Sequence, residues 1–181
     1  MNALGMVEIQ SIPAGVEAGD FMLKAAQVEL VSAQAVCAGK YIVIVTGDVA
    51  AVNSSVKAGE TAAKNHLINS IVISGIHEQV PRAINACTEI GRVEAVGLME
   101  TYSLCSAVIA ADACVKAAKV DLIEVRLGRG LGGKSFIVLT GNVAAVRAAV
   151  DAGSAVEEVQ GLMSGSVVIP SPHPDIVKSL L

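Results

Sequence analysis

Hydrophobic and polar positions follow one another along this chain in a series that occurs twice. Residues 39–52 and 133–146 carry Gly, Lys, Thr, Gly, Val, Ala, Ala and Val at matching positions. In each segment an apolar run has the length of a buried strand, and the glycine and the Asp48 or Asn142 that follow predict a turn into a helix. We infer from this repeat that one domain has been duplicated.

The rest of each copy supplies further strands and helices in the same order. In the first copy the pattern predicts β-α-β-β-α-β-α, which is typical of a ferredoxin-like (split βαβ) α+β domain whose antiparallel sheet is covered by helices on one face. The second copy repeats this order, with two extra residues in a glycine-rich loop. The predicted strands of the first copy are 4–9, a strand that starts at 28–31 and runs towards Cys37, 41–46 and 67–73, and its predicted helices are 16–26, 49–63 and 80–84.

The repeat divides the 181 residues into two predicted domains, 1–90 and 91–181. The junction lies within residues 89–96, where the sequence contains no long flexible linker. We therefore expect the two domains to lie side by side as a rigid pair.

Composition limits the classes of function that this chain can have. Hydrophobic residues make up 53% of the chain and charged residues 17%, which is more apolar surface than two such domains can easily bury, so we expect an oligomer. The least polar stretch, 102–115, is shorter than a membrane span and contains Asp112, so no membrane partner is expected. A net charge of −4 and four aromatic residues argue against nucleic acid binding. The start of the chain shows no signal peptide, so the cytoplasm is the expected location.

The four cysteines do not share one environment. Cys87, Cys105 and Cys114 lie in predicted helices among small apolar neighbours, where we expect buried thiols that act as small hydrophobic residues. Cys37 lies instead in a predicted turn between two strands. Two interpretations of Cys37 stay open at this point: an unliganded loop thiol, or one thiolate of an iron–sulfur site to which several chains contribute.

A second loop matches a known phosphate-binding motif. Residues 128–135 fit the pattern G-x-x-x-x-G-K-[ST] letter for letter. That pattern binds phosphate when it leads from a strand into a helix, whereas the residues after Lys134 are predicted to form a strand. The related pair Gly39 and Lys40 lacks the rest of the motif. We therefore expect the Gly-Lys pairs to belong to the fold rather than to a nucleotide site.

Two further pairs of residues recur between the copies. Glu8 and Glu100 are expected at equivalent strand positions with structural roles, and His77 and His173 at equivalent positions after the fourth strand of each copy. No set of serine, histidine and aspartate that would indicate nucleophilic catalysis is recognisable.

Several segments together resemble the bacterial microcompartment shell-protein domain, over essentially the whole chain and twice. The resemblance implies a structural shell protein rather than an enzyme, located in a microcompartment shell in the cytoplasm with other shell proteins as partners. Tandem members of this family form homotrimers that imitate the six-sided tiles of single-domain members. The segments that carry the resemblance are 4–8, 112–118, the Gly-Asp-Val-Ala-Ala-Val and Gly-Asn-Val-Ala-Ala-Val turns, and 169–173.

The resemblance also implies roles for particular residues. The turn at Cys37 corresponds to the pore loop, and a cysteine there is similar to the tandem shell proteins of propanediol-utilisation compartments, which carry a 4Fe-4S cluster at the trimer centre. One cluster per trimer, ligated by Cys37 of each chain, would serve electron transfer to a redox partner or cluster delivery. The implied pore-lining residues are Ala38, Gly39, Leu131, Gly132 and Gly133, and the implied tile-edge residues are Lys24 and Lys116.

The chain departs from the family pattern at one position, and two other functions stay open. Ser171 stands between Pro170 and Pro172, where many members carry an arginine that contacts neighbouring tiles.

One alternative function is a plain shell tile with a metabolite pore and no cluster. The other is a regulator that binds a small ligand or nucleotide on duplicated ferredoxin-like domains, a fold that hosts many functions.

Overall fold

The computed structural model of the chain describes residues 3–180. Met1, Asn2 and Leu181, at the outer ends of the two predicted domains, lie outside the described residues. Within residues 3–180, no helix combines the length and the apolar composition that crossing a membrane requires.

Contacts divide the chain into two compact units, Met1–Ile76 and His77–Leu181. The sequence repeat predicts a division between residues 90 and 91. The contacts instead assign residues 77–90 to the second unit, because the helix in this segment packs against a strand of that unit. The end of the first repeat is therefore part of the second compact unit.

The first unit has the predicted order of strands and helices. Its first helix begins at Ile12 rather than at the predicted residue 16, because the Ser11 side chain accepts a hydrogen bond from the Ala14 amide and a proline suits the first turn. The elements of this unit are β1 (Ala3–Ile9), α1 (Ile12–Ala25), β2 (Glu29–Val36), β3 (Lys40–Gly47), α2 (Val49–Ala63) and β4 (Leu67–Ser74).

The second unit begins with the helix at the end of the first repeat and then repeats the same order. Its second helix is again capped by a serine, since the Ser103 side chain accepts a hydrogen bond from the Ser106 amide. The elements of this unit are α3 (Gln79–Ile84), β5 (Ala95–Thr101), α4 (Leu104–Ala117), β6 (Asp121–Leu127), β7 (Ser135–Gly141), α5 (Val143–Ala155), β8 (Met163–Ile169) and α6 (Pro174–Leu180).

Each unit contains one four-stranded antiparallel sheet, and the two sheets have the same topology. The strand orders are β2-β3-β1-β4 and β6-β7-β5-β8. The registers also match, since Met6 lies opposite Ile44 in the first sheet and Leu98 lies opposite Val138 in the second. Helices pack in pairs, α1 with α2 and α4 with α5, against their own sheets. The predicted α+β fold with two equivalent domains is confirmed.

The core of the first unit lies between its sheet and its helix pair. Val7, Val43 and Val45 from the strands meet Met22 and Val56 from the helices in one buried cluster. Fully burying an aliphatic side chain of this size stabilises a fold by roughly 1.5–3 kcal/mol. The apolar run of β3 is buried throughout, as its lack of polar residues predicts.

The core of the second unit depends on glycines that let α5 approach closely. A Cβ atom at Gly97 would lie 2.9 Å from side-chain carbons of both Leu139 and Val150. A Cβ atom at Gly153 would lie 2.6 Å from the Cys114 sulfur. On the other face of this sheet, a smaller cluster contains Val96, Ile123 and Val138 with Ile90, Val93, Leu98, Phe136 and Leu180 packed against it.

Asp48 and Asn142 stand at the predicted N-cap positions of the helices after β3 and β7, but only one of the two side chains caps its helix. Asn142 caps α5, because its side-chain oxygen accepts a hydrogen bond of 2.9 Å from the Ala145 amide. Asp48 stands at the N-cap position of α2 without making a side-chain capping bond. The cap is thus formed in one copy only.

Two of the three cysteines predicted to be buried in helices are found there, and one is not. Cys105 and Cys114 lie in α4 and are buried, and burial raises the pKa of Cys114 to about 12. The prediction for Cys87 is wrong, since it lies beyond the end of α3 and is exposed. The left-handed conformation of Ala86, φ 53°, ends the helix, and the Cys87 amide turns back to donate to the Arg82 carbonyl oxygen at 2.9 Å.

Candidate functional site

A tight turn, residues 37–39, connects β2 to β3 in the first unit. The Cys37–Ala38 peptide bond is cis, and Gly39 adopts φ 74°, a conformation that favours glycine. Ala38 and Gly39 are exposed and Cys37 is partly exposed. A Cβ atom built at Gly39 would meet no atom within 4 Å. The turn therefore presents a thiol beside small residues in open space.

The corresponding connection in the second unit is longer and richer in glycine. It spans residues 128–134 between β6 and β7, and it is closed by hydrogen bonds from the Gly128 amide to the Lys134 oxygen (3.1 Å) and from the Lys134 amide to the Leu131 oxygen (3.2 Å). Arg129, Gly130 and Gly132 of this loop are exposed. Its residues with positive φ are Gly128, Gly130, Gly132 and Gly133.

A lysine–glutamate ion pair anchors each of these loops to its own sheet. Lys40 Nζ lies 2.7 Å from Glu8 Oε1 in the first unit, and Lys134 Nζ lies 2.8 Å from Glu100 Oε2 in the second. The Ser164 hydroxyl also donates to Glu100, at 2.8 Å. The hydrogen bonds from Lys134 and Ser164 hold the pKa of Glu100 below its ordinary value. The structural roles predicted for Glu8 and Glu100 are confirmed.

The loop that matches the phosphate-binding motif does not have the geometry of one. As predicted, a strand follows it, β7, and no helix N-terminus points at the loop from that end. The Lys134 amine is bound to Glu100. The Ser135 hydroxyl oxygen is buried and has no hydrogen-bond partner among the residues that the structure describes. The lysine and serine of the motif are therefore not arranged around an anion site.

The described residues of one chain do not form a metal site by themselves. Within residues 3–180, no group of three or more His, Cys, Asp or Glu side chains is placed to hold a metal ion. Iron–sulfur clusters need several cysteine thiolates, and the turn between β2 and β3 offers one, Cys37. Any cluster at this turn would therefore require thiolates from other chains.

The two lysines implied at the tile edge occupy equivalent positions in the last turns of α1 and α4. Lys24 Nζ lies 2.6 Å from Asp20 Oδ2, with both side chains exposed. Lys116 pairs with Asp112 in the same way, but the Asp112 carboxylate is buried. The Asp-x-x-x-Lys pairing expected on one helix face is confirmed, and the place of these lysines at a tile edge stays a prediction.

The contact that buries the Asp112 carboxylate could not be predicted from the sequence pattern. The His77 amide donates to Asp112 Oδ1 at 2.8 Å, and the Gln79 side-chain oxygen accepts from the Leu122 amide at 2.8 Å. Both donor and acceptor come from the segment that the repeat assigns to the first domain. The recurrence of His77 as His173 marks this segment as part of the repeat. A repeat in the sequence does not show, however, against which unit the last helix of the first copy packs.

Comparison with known proteins identifies both units. The model of the BMC domain family matches residues 3–76 and 95–172. The bacterial microcompartment shell protein PduT of Citrobacter freundii is 37% identical, with 99% of this chain and 98% of that protein covered. The carboxysome assembly protein CcmO of Synechococcus elongatus is 31% identical over 99% of this chain and 68% of that protein.

The solved structures agree with this result. A crystal structure of a microcompartment protein from Desulfitobacterium hafniense matches with a TM-score of 0.94 and 48% identity, covering 98% of this chain and 99% of that one. Each unit here thus has the same four-stranded fold and its own match to the BMC domain. The chain belongs to the BMC domain family and is a bacterial microcompartment shell protein with two such domains in tandem.

Proposed function

We propose that this shell protein is a facet tile that assembles as a homotrimer and holds one 4Fe-4S cluster through Cys37 of each of its three chains. The observation that carries the proposal is the exposed turn at Cys37, which presents a thiol between two strands with no core to fill. A thiol that served only as a small hydrophobic residue would instead be buried, as Cys105 and Cys114 are.

The residues around Cys37 fit a site that is shared between chains. Ala38 and Gly39 are small and exposed, so three copies of the turn could approach one axis without a side-chain clash. A cluster bound there would supply electron transfer. The chain itself contributes the thiolate and a backbone that leaves room on the open side of the turn.

Exposed apolar side chains support assembly beyond a single chain. Val16, Phe21 and Leu23 on α1 are all exposed although they are large and hydrophobic. Exposed apolar side chains of this size become buried when proteins associate. We assign these side chains to contacts between copies, in agreement with the high hydrophobic content of the sequence.

The remaining residues of the proposal lie on loops and helix ends that can serve these roles. Ala38 and Gly39 would line a central pore together with residues 131–133 of the second loop, whose backbone is bent by glycines. Lys24 and Lys116 would contact neighbouring tiles and other shell proteins from the last turns of their helices. A redox partner would reach the cluster through the pore.

The alternatives have less support than the cluster-bearing tile. A nucleotide-binding regulator would need a free lysine in the second loop, and the Lys134 amine is paired with Glu100. A plain tile with a metabolite pore shares every feature except the role of Cys37. Iron content therefore decides between the plain tile and the proposal.

The test is iron and sulfide analysis of protein purified without oxygen, together with its absorbance spectrum. Wild type should contain about four irons per trimer and be brown. Cys37→Ser should be colourless with iron near zero, while the oligomer persists because apolar surface rather than iron holds the chains together.

Cys87→Ser is the matched control, because Cys87 is the other cysteine with an accessible side chain. It should keep the full iron content. Wild type without iron would leave a plain shell tile, and a Cys37→Ser variant that retains its iron would contradict the proposed role of Cys37 as the ligand.

A further inference from the structure

A groove of about 410 Å³ lies on the second sheet, on the face that carries Leu98 and Phe136. Most of its wall is apolar, and Val167 in this wall is exposed although it is a large hydrophobic residue. The volume is within the range of about 300–1,000 Å³ that is typical of sites for small ligands. The lining of the groove includes Leu98, Glu100, Phe136, Gly165, Val167 and Leu180, all in the second unit.

Gly165 of β8 leaves the space for this groove. It lies opposite Glu100 in the sheet, and side chains at opposite positions of two strands share one face. A Cβ atom at Gly165 would meet nothing within 4 Å. In the first sheet, the residue opposite Glu8 is Asn69, so a side chain is present at the equivalent position.

The apolar wall is also more open in the second unit than in the first. Leu98 and Phe136 are partly exposed, whereas Met6 and Ile42, at the same positions of the first sheet, are fully buried. The groove therefore results from differences between the two copies and not from the fold that they share.

Glu100 provides an open acceptor beside the apolar wall. Its two hydrogen bonds, from Lys134 and from Ser164, both go to Oε2, and Oε1 accepts none from the residues that the structure describes. The Glu100 side chain is 36% exposed, whereas that of Glu8 is 3% exposed. Because the pKa of Glu100 is held below its ordinary value, the carboxylate is ionised at neutral pH and can accept a further hydrogen bond.

We propose that this groove binds a primary alcohol with an apolar chain. The hydroxyl group would donate to Glu100 Oε1, and the chain would lie against Leu98, Phe136 and Val167. Burial of the chain would supply most of the affinity, and the hydrogen bond to a charged acceptor would fix the orientation of the ligand.

The charges beside the groove favour a neutral donor over an ion. Lys134 Nζ lies 2.8 Å from Glu100 Oε2, so the pair carries no net charge. An ammonium group at Oε1 would lie near the Lys134 ammonium, and like charges repel. A carboxylate has no proton to donate and would meet the ionised Glu100. A hydroxyl group donates a hydrogen bond without adding charge.

The test is saturation-transfer NMR of the full chain with n-pentanol as the probe, titrated to obtain its dissociation constant. A ligand with so few atoms should bind in the millimolar range. Protonated n-pentylamine and pentanoate have the same chain with a charged end, and each should bind about tenfold more weakly than n-pentanol, or worse.

Gly165→Val is the variant that fills the groove. Because the added atoms enter open space, the variant should keep the circular dichroism spectrum of wild type while its affinity for n-pentanol falls about tenfold or more. Ala144→Val is the matched control, since Ala144 is an exposed residue of α5 outside the groove. It should change the affinity by no more than about twofold.

Three results would overturn the proposal. The first is wild type without saturable binding, which is also the result expected if assembly covers the groove. The second is a Gly165→Val variant that binds n-pentanol as tightly as wild type, and the third is an ionic probe that binds as tightly as n-pentanol. None of these results changes the iron content or the number of chains in the assembly, which test the proposed function separately.

Discussion

Gly15 shows how the two copies of the domain solve one packing problem with different residues. A Cβ atom at Gly15 would collide with the Tyr41 side chain, lying 2.6 Å from its Cγ atom. The corresponding residues in the second copy are Ala107 and Ser135. Where the strand residue is small, the helix can carry a methyl group. Packing of the ring therefore requires glycine in the first copy.

We predict that Gly15→Ala destabilises the protein by about 1–3 kcal/mol, because an added methyl group in a packed site forces neighbouring atoms to move. The free energy of unfolding can be measured by urea denaturation. Gly91→Ala is the control, since a Cβ atom there would meet nothing within 4 Å. In a Tyr41→Ser background the cost of Gly15→Ala should be smaller, and an equal cost in both backgrounds would contradict this explanation.

The sequence predicts which residues are buried more reliably than it predicts what they touch. The apolar run of β3 and the two cysteines of α4 are buried as expected. Cys87 is exposed because Ala86 leaves the helical conformation. The sequence pattern does not predict that an alanine adopts the left-handed backbone conformation. Side-chain contacts such as that between Met99 and Cys114, whose sulfur atoms lie 3.5 Å apart, depend on packing across the fold.

At the scale of elements, the loops that carry the candidate site are anchored where they join the strands. Where the second loop joins β7, Lys134 pairs with Glu100, which also accepts a hydrogen bond from Ser164. The rest of this loop contains four glycines with positive φ, and Gly130 and Gly132 are exposed. The lysine of the phosphate-binding motif thus acts as an anchor of the loop.

We predict that Lys134→Met lowers stability at neutral pH but not in acid. The pKa of Glu100 is lowered from 4.5, chiefly by the hydrogen bond from Lys134, so the pair stabilises the fold above pH 4.5 and stops doing so as pH falls through the lower, folded-state pKa. Because both side chains are partly exposed, the difference should stay within about 1 kcal/mol.

Thermal unfolding of wild type and Lys134→Met between pH 3 and pH 7 measures this difference. Lys57→Met removes an ion pair on α2 whose lysine is more exposed than Lys134, and it serves as the control for loss of a surface charge. A difference between wild type and Lys134→Met that persists unchanged at pH 3 would show that the lysine acts by packing rather than by its bond to Glu100.

The order of elements could be predicted because strands and helices here have clear apolar patterns and the series occurs twice. The start of α1 could not, since Pro13 and Gly15 are typical of loops and conceal a helix that Ser11 caps. The docking of α3 could not be predicted either. A short helix with one apolar face fits several surfaces, and only the contacts show which it covers.

At the scale of the whole molecule, the chain is one part of a larger assembly. One chain offers a single thiol at the turn between β2 and β3, and it leaves apolar surface on α1 and α6 exposed. The role proposed for Cys37 rests on family resemblance as well as on the exposed turn. Spacing along one chain cannot reveal a ligand set whose members would lie on different chains.

Native mass spectrometry of wild type purified without oxygen tests the central claim most directly. The proposal predicts one main species, with the mass of three chains of 18.4 kDa and one four-iron, four-sulfide cluster. A trimer with no iron would contradict the role of Cys37. Monomers or dimers at the concentrations where shell proteins assemble would contradict the trimeric tile itself.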